Sequence, residues 1–235
     1  MYKSLAIQDK QKTEQEALVS QLLPKHAFLK LRNQNLSNKI ELTDEIEGAT
    51  LLFADIKGFT SYSNKNTPEQ VVNMLRRLFE EFDKTCLKFN VYKVYTIGDC
   101  YVVLGFTNPF QRDIAQEAKN VVNMGLAMVD IVHTVRQQID FEELDMRIGI
   151  HTGTIIGGII GTDIVRYDIY GRDVMIANKF EEYGKTGAVH ISAATKAILD
   201  NNRSANFKIV PNGTVKVEKL NVEIPGYIVS RKKFE

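Results

Sequence analysis

Cysteine is scarce in this chain: Cys86 and Cys100 are the only two among 235 residues. Two cysteines cannot build a disulfide framework, so a reducing compartment is expected. No apolar run approaches the ~18–20 residues that would span a bilayer. The opening Met1-Tyr2-Lys3-Ser4 leads into a charged stretch that lacks the apolar centre of a signal peptide. A surplus of charge is missing as well, with 30 Lys and Arg set against 29 Asp and Glu. That balance argues against a generic nucleic-acid binder, whose phosphate contacts demand a basic excess. It argues equally against an acidic disordered tail. What is present is ordinary globular material, 44% hydrophobic and 25% charged. Such a chain can bury a full core without a disulfide or metal staple. A cytoplasmic chain is expected, either free or as the cytosolic part of a larger membrane-bound one.

Residues 1–46 read as a helical lead-in. Gln8 to Gln21 is nearly all polar, and Leu18, Leu22 and Leu23 form a thin apolar edge before Pro24. Proline disfavours helix at the residue before it, so a helix ends near Leu23. Its narrow stripe suits packing on a partner helix, and a frayed tail fits the same composition.

The compact domain is expected over 47–235, with no internal repeat and no low-complexity linker. Ala49 to Ala54 is a short apolar run that reads as a buried central strand, ending at Asp55. Thr67-Pro68-Glu69-Gln70 opens a helix with a capping box. Val71, Leu75, Leu78 and Phe82 mark its buried face. Tyr92–Ile97 and Cys100–Phe106 read as strands joined at Gly98-Asp99. A second long helix spans Arg112 to Gln138, and Met146 to Ile150 alternates as a strand. The order strand, helix, strand, strand, helix, strand is that of an α+β, ferredoxin-like split βαβ fold. Its antiparallel sheet carries helices on one face. A C-terminal αβ extension follows, with helices at Asp173–Tyr183 and Ala193–Leu199, a strand at Val189–Ser192 and short strands from Asn206 to Ile228.

Two carboxylates stand where this chain turns. Asp55 ends the first strand and Asp99 sits in the hairpin. In a split βαβ sheet the first and third strands are central neighbours, so the two turns can meet at one sheet edge. Carboxylates that close repel unless a cation lies between them. Asp oxygens suit magnesium, with substrate phosphates completing the shell. Gly58 lets backbone approach a ligand, and the N–H groups of such a turn can form an anion-binding concavity. Arg147 could reach the same anion. Turn chemistry alone favours each Asp singly. The pair, taken with Gly58, Thr60 and Arg147, favours phosphate–metal chemistry.

Four ordered blocks then carry a family resemblance. Leu52-Phe53-Ala54-Asp55-Ile56-Lys57-Gly58-Phe59-Thr60 resembles the first metal motif of the class III nucleotide cyclases, the adenylate and guanylate cyclase catalytic domains. Thr96-Ile97-Gly98-Asp99-Cys100-Tyr101 resembles the second, and Met146 to Gly153 the third. Arg166 to Gly171, continuing through Asp173-Val174 to Ala177-Asn178, resembles the fourth. Leu22 to His26 is similar to an element that often precedes the domain. A polymerase-like or diguanylate cyclase palm would share the sheet and two carboxylates, but the fourth block argues against it.

The resemblance implies a head-to-tail dimer with each active site at the interface. It implies that Asp55 and Asp99 hold two Mg2+ or Mn2+ ions, with the Ile56 carbonyl as a third ligand. Gly58, Phe59 and Thr60, beside Gly98, match the nucleotide-binding turns, and Arg147 matches a triphosphate-binding arginine. Catalysis would rest on Asp55, Asp99 and Arg147. The other half of the equipment departs from the pattern. The purine-reading positions fall on Tyr95 and Asp168. The transition-state Asn and Arg positions fall on Met175 and Lys179. Tyr95, Asp168 and Lys179 would line a second, altered pocket. The resemblance is to the metal-bearing half of paired protist-type cyclases, which implies cGMP or cAMP formation with a complementary domain. It inclines to GTP over ATP and leaves a weakly active homodimer. A regulatory dimerisation module is the rival expectation. His151 reads as a strand support, Cys86 and Cys100 as small buried hydrophobes, and Arg231-Lys232-Lys233 as a solvated end.

Overall fold

A computed structural model of the chain describes residues 23–24, 27–30, 42–105, 112–159, 166–201 and 207–232. The helix expected before Pro24 lies outside the described residues, as do Phe106 and Lys233. The elements are β1 (Leu42–Lys57), α1 (Phe59–Lys65), α2 (Pro68–Phe89), β2 (Tyr92–Ile97), β3 (Cys100–Leu104) and α3 (Ile114–Gln138). They continue as β4 (Asp145–Ile159), β5 (Tyr167–Tyr170), α4 (Arg172–Glu182), β6 (Ala188–Ser192), α5 (Ala193–Asn201), β7 (Phe207–Val217) and β8 (Val222–Arg231). The sheet order is β2-β3-β1-β4-β6-β8-β7, with β5 paired to β4. β2, β3, β1 and β4 pair antiparallel, which is the split βαβ core. β6 joins β4 in parallel and starts the extension.

β1 is longer than its apolar run. Its first stretch, Leu42 to Ile46, pairs with Ile159 to Ile155 before a bulge that contains Gly48 at φ +62°. After the bulge the pleat sorts side chains strictly. Leu52, Ala54 and Ile56 face a core shared with α2 and α3, while Leu51 and Phe53 face the other side. α2 starts with the capping box on Thr67 and Gln70. Met74, Leu78, Phe82 and Cys86 are its fully buried residues, spaced four apart. Val71 and Leu75 flank that stripe, half-buried. α3 is capped by Asp113, whose side chain accepts from the Gln116 N–H.

α2 and α3 lie on one face of the core sheet. α4, from the extension, crosses the opposite face, where Val174 and Ala177 pack with Leu51, Phe53 and Ile155. The close approach is set at Gly149 of β4. A Cβ there would lie 2.0 Å from the Glu181 nitrogen, so only glycine admits the helix at this depth. A polar chain that runs inward from Asp173 fastens the start of α4 to the sheet. Asp173 Oδ2 accepts from the Thr154 N–H at 2.6 Å, and Asp173 Oδ1 lies 3.2 Å from His151 Nε2. His151 Nδ1 in turn lies 2.8 Å from Ser192 Oγ. His151 is thus a strand support. Cys86 is buried, and Cys100 is half-buried rather than enclosed. No described helix is long and apolar enough to cross a membrane.

Candidate active site

The site begins with strand register. β1 and β4 place Asp55 directly opposite Arg147. Arg147 Nη2 donates to Asp55 Oδ2 at 2.7 Å. On the other edge of β1, Ala54 pairs with Tyr101 of β3, which sets Asp55 beside the β2–β3 turn. Gly98, at φ +60°, makes that turn, and Asp99 follows it. Burial first, and the charge of Asp55 second, push the Asp99 carboxyl above its ordinary range. The charge of Asp55 therefore acts on Asp99.

Asp55 lies within β1 rather than in the turn, which comes three residues later at Gly58. Gly58 stands at φ +88°, in the left-handed region, as the N-cap of α1. A Cβ there would also lie 2.6 Å from the Glu143 carbonyl oxygen. Conformation and space both require glycine. No side chain caps α1, so its leading N–H groups are left for solvent or an anion. Asp55, Ile56, Gly58, Phe59, Thr60, Asp99 and Arg147 line one cleft of about 790 Å³. Glu142, Glu143 and Asp145 form its acidic rim. Ser61 Oγ donates to Glu143 at 2.7 Å and Lys65 to the same carboxylate at 2.9 Å.

This donor set fits a hard divalent cation: the carboxylates of Asp55 and Asp99 repel each other and share the cleft with Ile56. No group of three or more His, Cys, Asp or Glu gathers as a metal cage among the described residues. An ion held here would need oxygens from a substrate to complete its shell, as phosphates supply.

Tyr95, Asp168, Met175 and Lys179 are not part of this cleft. Tyr95 is half-buried, and the Arg166 guanidinium lies 5.7 Å from its ring centroid. Arg166 Nη2 donates to Asp168 at 2.6 Å, so that carboxylate is already engaged. Burial, then the charge of Asp168, pushes the Tyr95 hydroxyl up to about 12. Met175 and Lys179 line a separate groove of about 290 Å³ with Asn178, Tyr183 and Lys216. Lys179 pairs with Glu182 on its own helix.

One residue that supports the cleft is not evident from the sequence. Glu181 is buried, and its Oε1 lies 3.0 Å from Arg147 Nε. Burial and the charge of Asp55 push its carboxyl up to about 7, against the pull of Arg147. The available signal is position: Glu181 shares the buried face of α4 with Ile176, Ala177 and Phe180. A carboxylate on an apolar helix face needs a partner.

Comparison with known proteins places the chain. The model of the adenylate and guanylate cyclase catalytic domain matches residues 42–231. Guanylate cyclase alpha of Plasmodium falciparum is 33% identical over 229 residues, covering 94% of this chain and 5% of that protein. The head-specific guanylate cyclase of Drosophila melanogaster is 40% identical over 167 residues, covering 69% of this chain and 23% of that protein. The chain thus spans a small fraction of these relatives. Among solved structures, the adenylyl cyclase CyaB from P. aeruginosa superposes with a TM-score of 0.74 at 28% identity, covering 81% of this chain and 97% of that one. The guanylate cyclase domain of RhGC from Catenaria anguillulae, solved with GTP, gives 0.70 at 27% identity, covering 81% and 100%. With the two aspartates, the glycine turn and the arginine in one cleft, and a family match over most of its length, the chain belongs to the adenylate and guanylate cyclase catalytic domain family.

Proposed function

We propose that this chain is the metal-bearing half of a purine nucleotide cyclase, acting in the cytosol. Residues 1–46 lead into the catalytic domain over 47–235. The reaction is in-line attack of the ribose 3′-hydroxyl on the α-phosphate. A new P–O bond forms as the bond to pyrophosphate breaks and the hydroxyl proton passes to solvent water, giving cGMP from GTP or cAMP from ATP. Asp55, Asp99 and the Ile56 carbonyl would hold two divalent ions, Mg2+ or Mn2+, which would supply Lewis-acid charge to the reaction. The backbone of Gly58, Phe59 and Thr60 binds phosphate oxygens, and Arg147 offsets their charge. Positioning and charge carry the rate, with no protein general base required.

The observation behind this reading is the single cleft that joins Asp55, Asp99, Arg147 and the Gly58 turn. Met175 and Lys179 are the reason for a complementary half, which would meet this chain head to tail. Methionine offers no donor for a transition-state oxygen. Lysine keeps a charge but lacks the planar fork of arginine. A homodimer is accordingly weak. GTP is favoured by the names of the Plasmodium and Drosophila relatives. Adenylate cyclase is the alternative specificity. A regulatory dimerisation module remains the second reading, supported by the same Met175 and Lys179. Both are tested by assaying cyclic product from GTP and from ATP with manganese, alone and mixed with a complementary domain. Product is expected chiefly from GTP in the mixture. No product in any mixture supports the regulatory module.

A further inference from the structure

Arg147 has two carboxylate partners, and only one of them belongs to the proposed metal site. Its Nη2 reaches Asp55, and its Nε faces Glu181 Oε1 at 3.0 Å. Glu181 Oε1 and Arg147 Nε are both buried and neither makes a hydrogen bond, so what joins them is an ion pair at 3.0 Å. We propose that Glu181 is a positioning residue that keeps Arg147 aimed into the cleft once Asp55 is taken up by a metal–triphosphate ligand. This inference rests on the reading of Asp55 and Asp99 as the metal ligands.

Three observations carry it. First, Glu181 occupies a place that disfavours a carboxylate for every reason except Arg147. It is buried, and it sits in the last turn of α4, where the helix dipole presents negative charge. Second, its depth is set by backbone rather than by side-chain chance. Gly149 of β4 lies under Glu181 and Phe180, where any Cβ would collide with the helix backbone. Third, the register makes the relay direct. Arg147 and Gly149 are alternate residues of β4, and Arg147 faces Asp55 on β1. When Asp55 turns to a cation, Arg147 loses that acceptor. Without Glu181 a long, flexible guanidinium would be free to leave the phosphate site. With Glu181 its Nε stays fixed, and its terminal nitrogens are released toward the phosphates. The cost of ordering Arg147 is then met in the folded protein, before ligand binds. Burial and the charge of Asp55 work against the charge of Glu181, and Arg147 is the group that favours it.

The test measures affinity without turnover. The probes are 3′-deoxy-GTP and 3′-deoxy-ATP with manganese, which lack the attacking hydroxyl, titrated against the full chain by calorimetry. Glu181→Gln keeps the volume and an acceptor atom but removes the charge. It is expected to weaken binding of the preferred nucleotide roughly tenfold. Arg147→Ala weakens binding further, and Glu181→Gln adds nothing in that background, because it acts through Arg147. Glu181→Met serves the same cycle if the glutamine variant fails to accumulate. Wild-type affinity in Glu181→Gln, or full additivity with Arg147→Ala, overturns the inference. Asp99→Ala separates the two levels. If it weakens binding while Glu181→Gln does not, only the role of Glu181 falls. If Asp99→Ala also binds as wild type does, the metal assignment itself falls.

Discussion

Arg147 and Asp55 stand opposite each other on adjacent antiparallel strands and are joined by a 2.7 Å hydrogen bond from Nη2 to Oδ2. The pairing puts a fixed cation next to the carboxylate that would hold a metal. A charge-assisted hydrogen bond of this kind contributes about 1.5–3 kcal/mol. Arg147→Ala is therefore expected to raise the KM for nucleoside triphosphate roughly 10- to 100-fold in the reconstituted enzyme. Arg147→Lys should recover only part of this, because lysine cannot serve two carboxylates and a phosphate with one planar group. Steady-state kinetics of the two variants check both statements.

Gly58 offers a test of the cleft's floor. Its φ of +88°, and the 2.6 Å that would separate an added Cβ from the Glu143 carbonyl oxygen, exclude any side chain without a shift of backbone. Gly58→Ala should destabilise the domain by about 1–3 kcal/mol and lower activity more than stability predicts. Urea unfolding and an activity assay on the same preparation separate the two effects.

His151 and His190 give a pH prediction. Both are buried, and burial pulls their pKa values below the ordinary 6.5. The unfolded chain therefore binds these protons more readily than the folded one. Their contribution to stability is intact above about pH 6.5 and is lost as the pH falls through their folded values. Glu181 works in the other direction. Its carboxyl, raised from 4.5 to about 7, makes the folded state the tighter proton binder, so its contribution weakens as the pH rises through that window. Imidazole titration by NMR should place both histidines below 6.5, and a value at or above 6.5 for either contradicts the assignment.

Met175 and Lys179 lead to a gain-of-function prediction. Met175→Asn with Lys179→Arg restores a donor and a planar fork on the exposed side of α4. One donor aimed at a transition-state oxygen is worth about 10²–10³ in kcat elsewhere. The double variant alone should form cyclic nucleotide at least roughly tenfold faster than the unaltered chain, since both sites of a homodimer would gain it. An unchanged rate would show that the pocket near Tyr95 and Asp168, not α4, limits the homodimer.

The apolar run from Ala49 to Ala54, the capping box at Thr67 and the Gly98-Asp99 hairpin are local signals, and they make the core legible from the residues alone. The four blocks of the resemblance all lie within residues 42–231, which the family model matches. Other features depend on tertiary packing. The first part of β1, Leu42 to Ile46, carries no apolar run and becomes strand because β4 extends far enough to pair with it. The buried stripe of α2 centres on Met74 rather than on Val71 and Leu75, since several apolar residues share that side and only packing chooses among them. The position of α4 on the far face follows from Gly149, whose meaning appears only when a helix lies on it. Glu181 is invisible in the sequence for the same reason: its partner is 34 residues away, on a strand that no local rule connects to α4.

The most direct test of the account is cyclic nucleotide formation by this chain mixed with a cyclase domain that carries Asn and Arg at the positions of Met175 and Lys179. The assay uses manganese with GTP and with ATP, and sets the unaltered chain beside Asp99→Ala. The account predicts that the unaltered chain raises activity well above either domain alone and that Asp99→Ala abolishes the increase. A mixture that stays fully active with Asp99→Ala would contradict the assignment of Asp55 and Asp99 as the metal ligands.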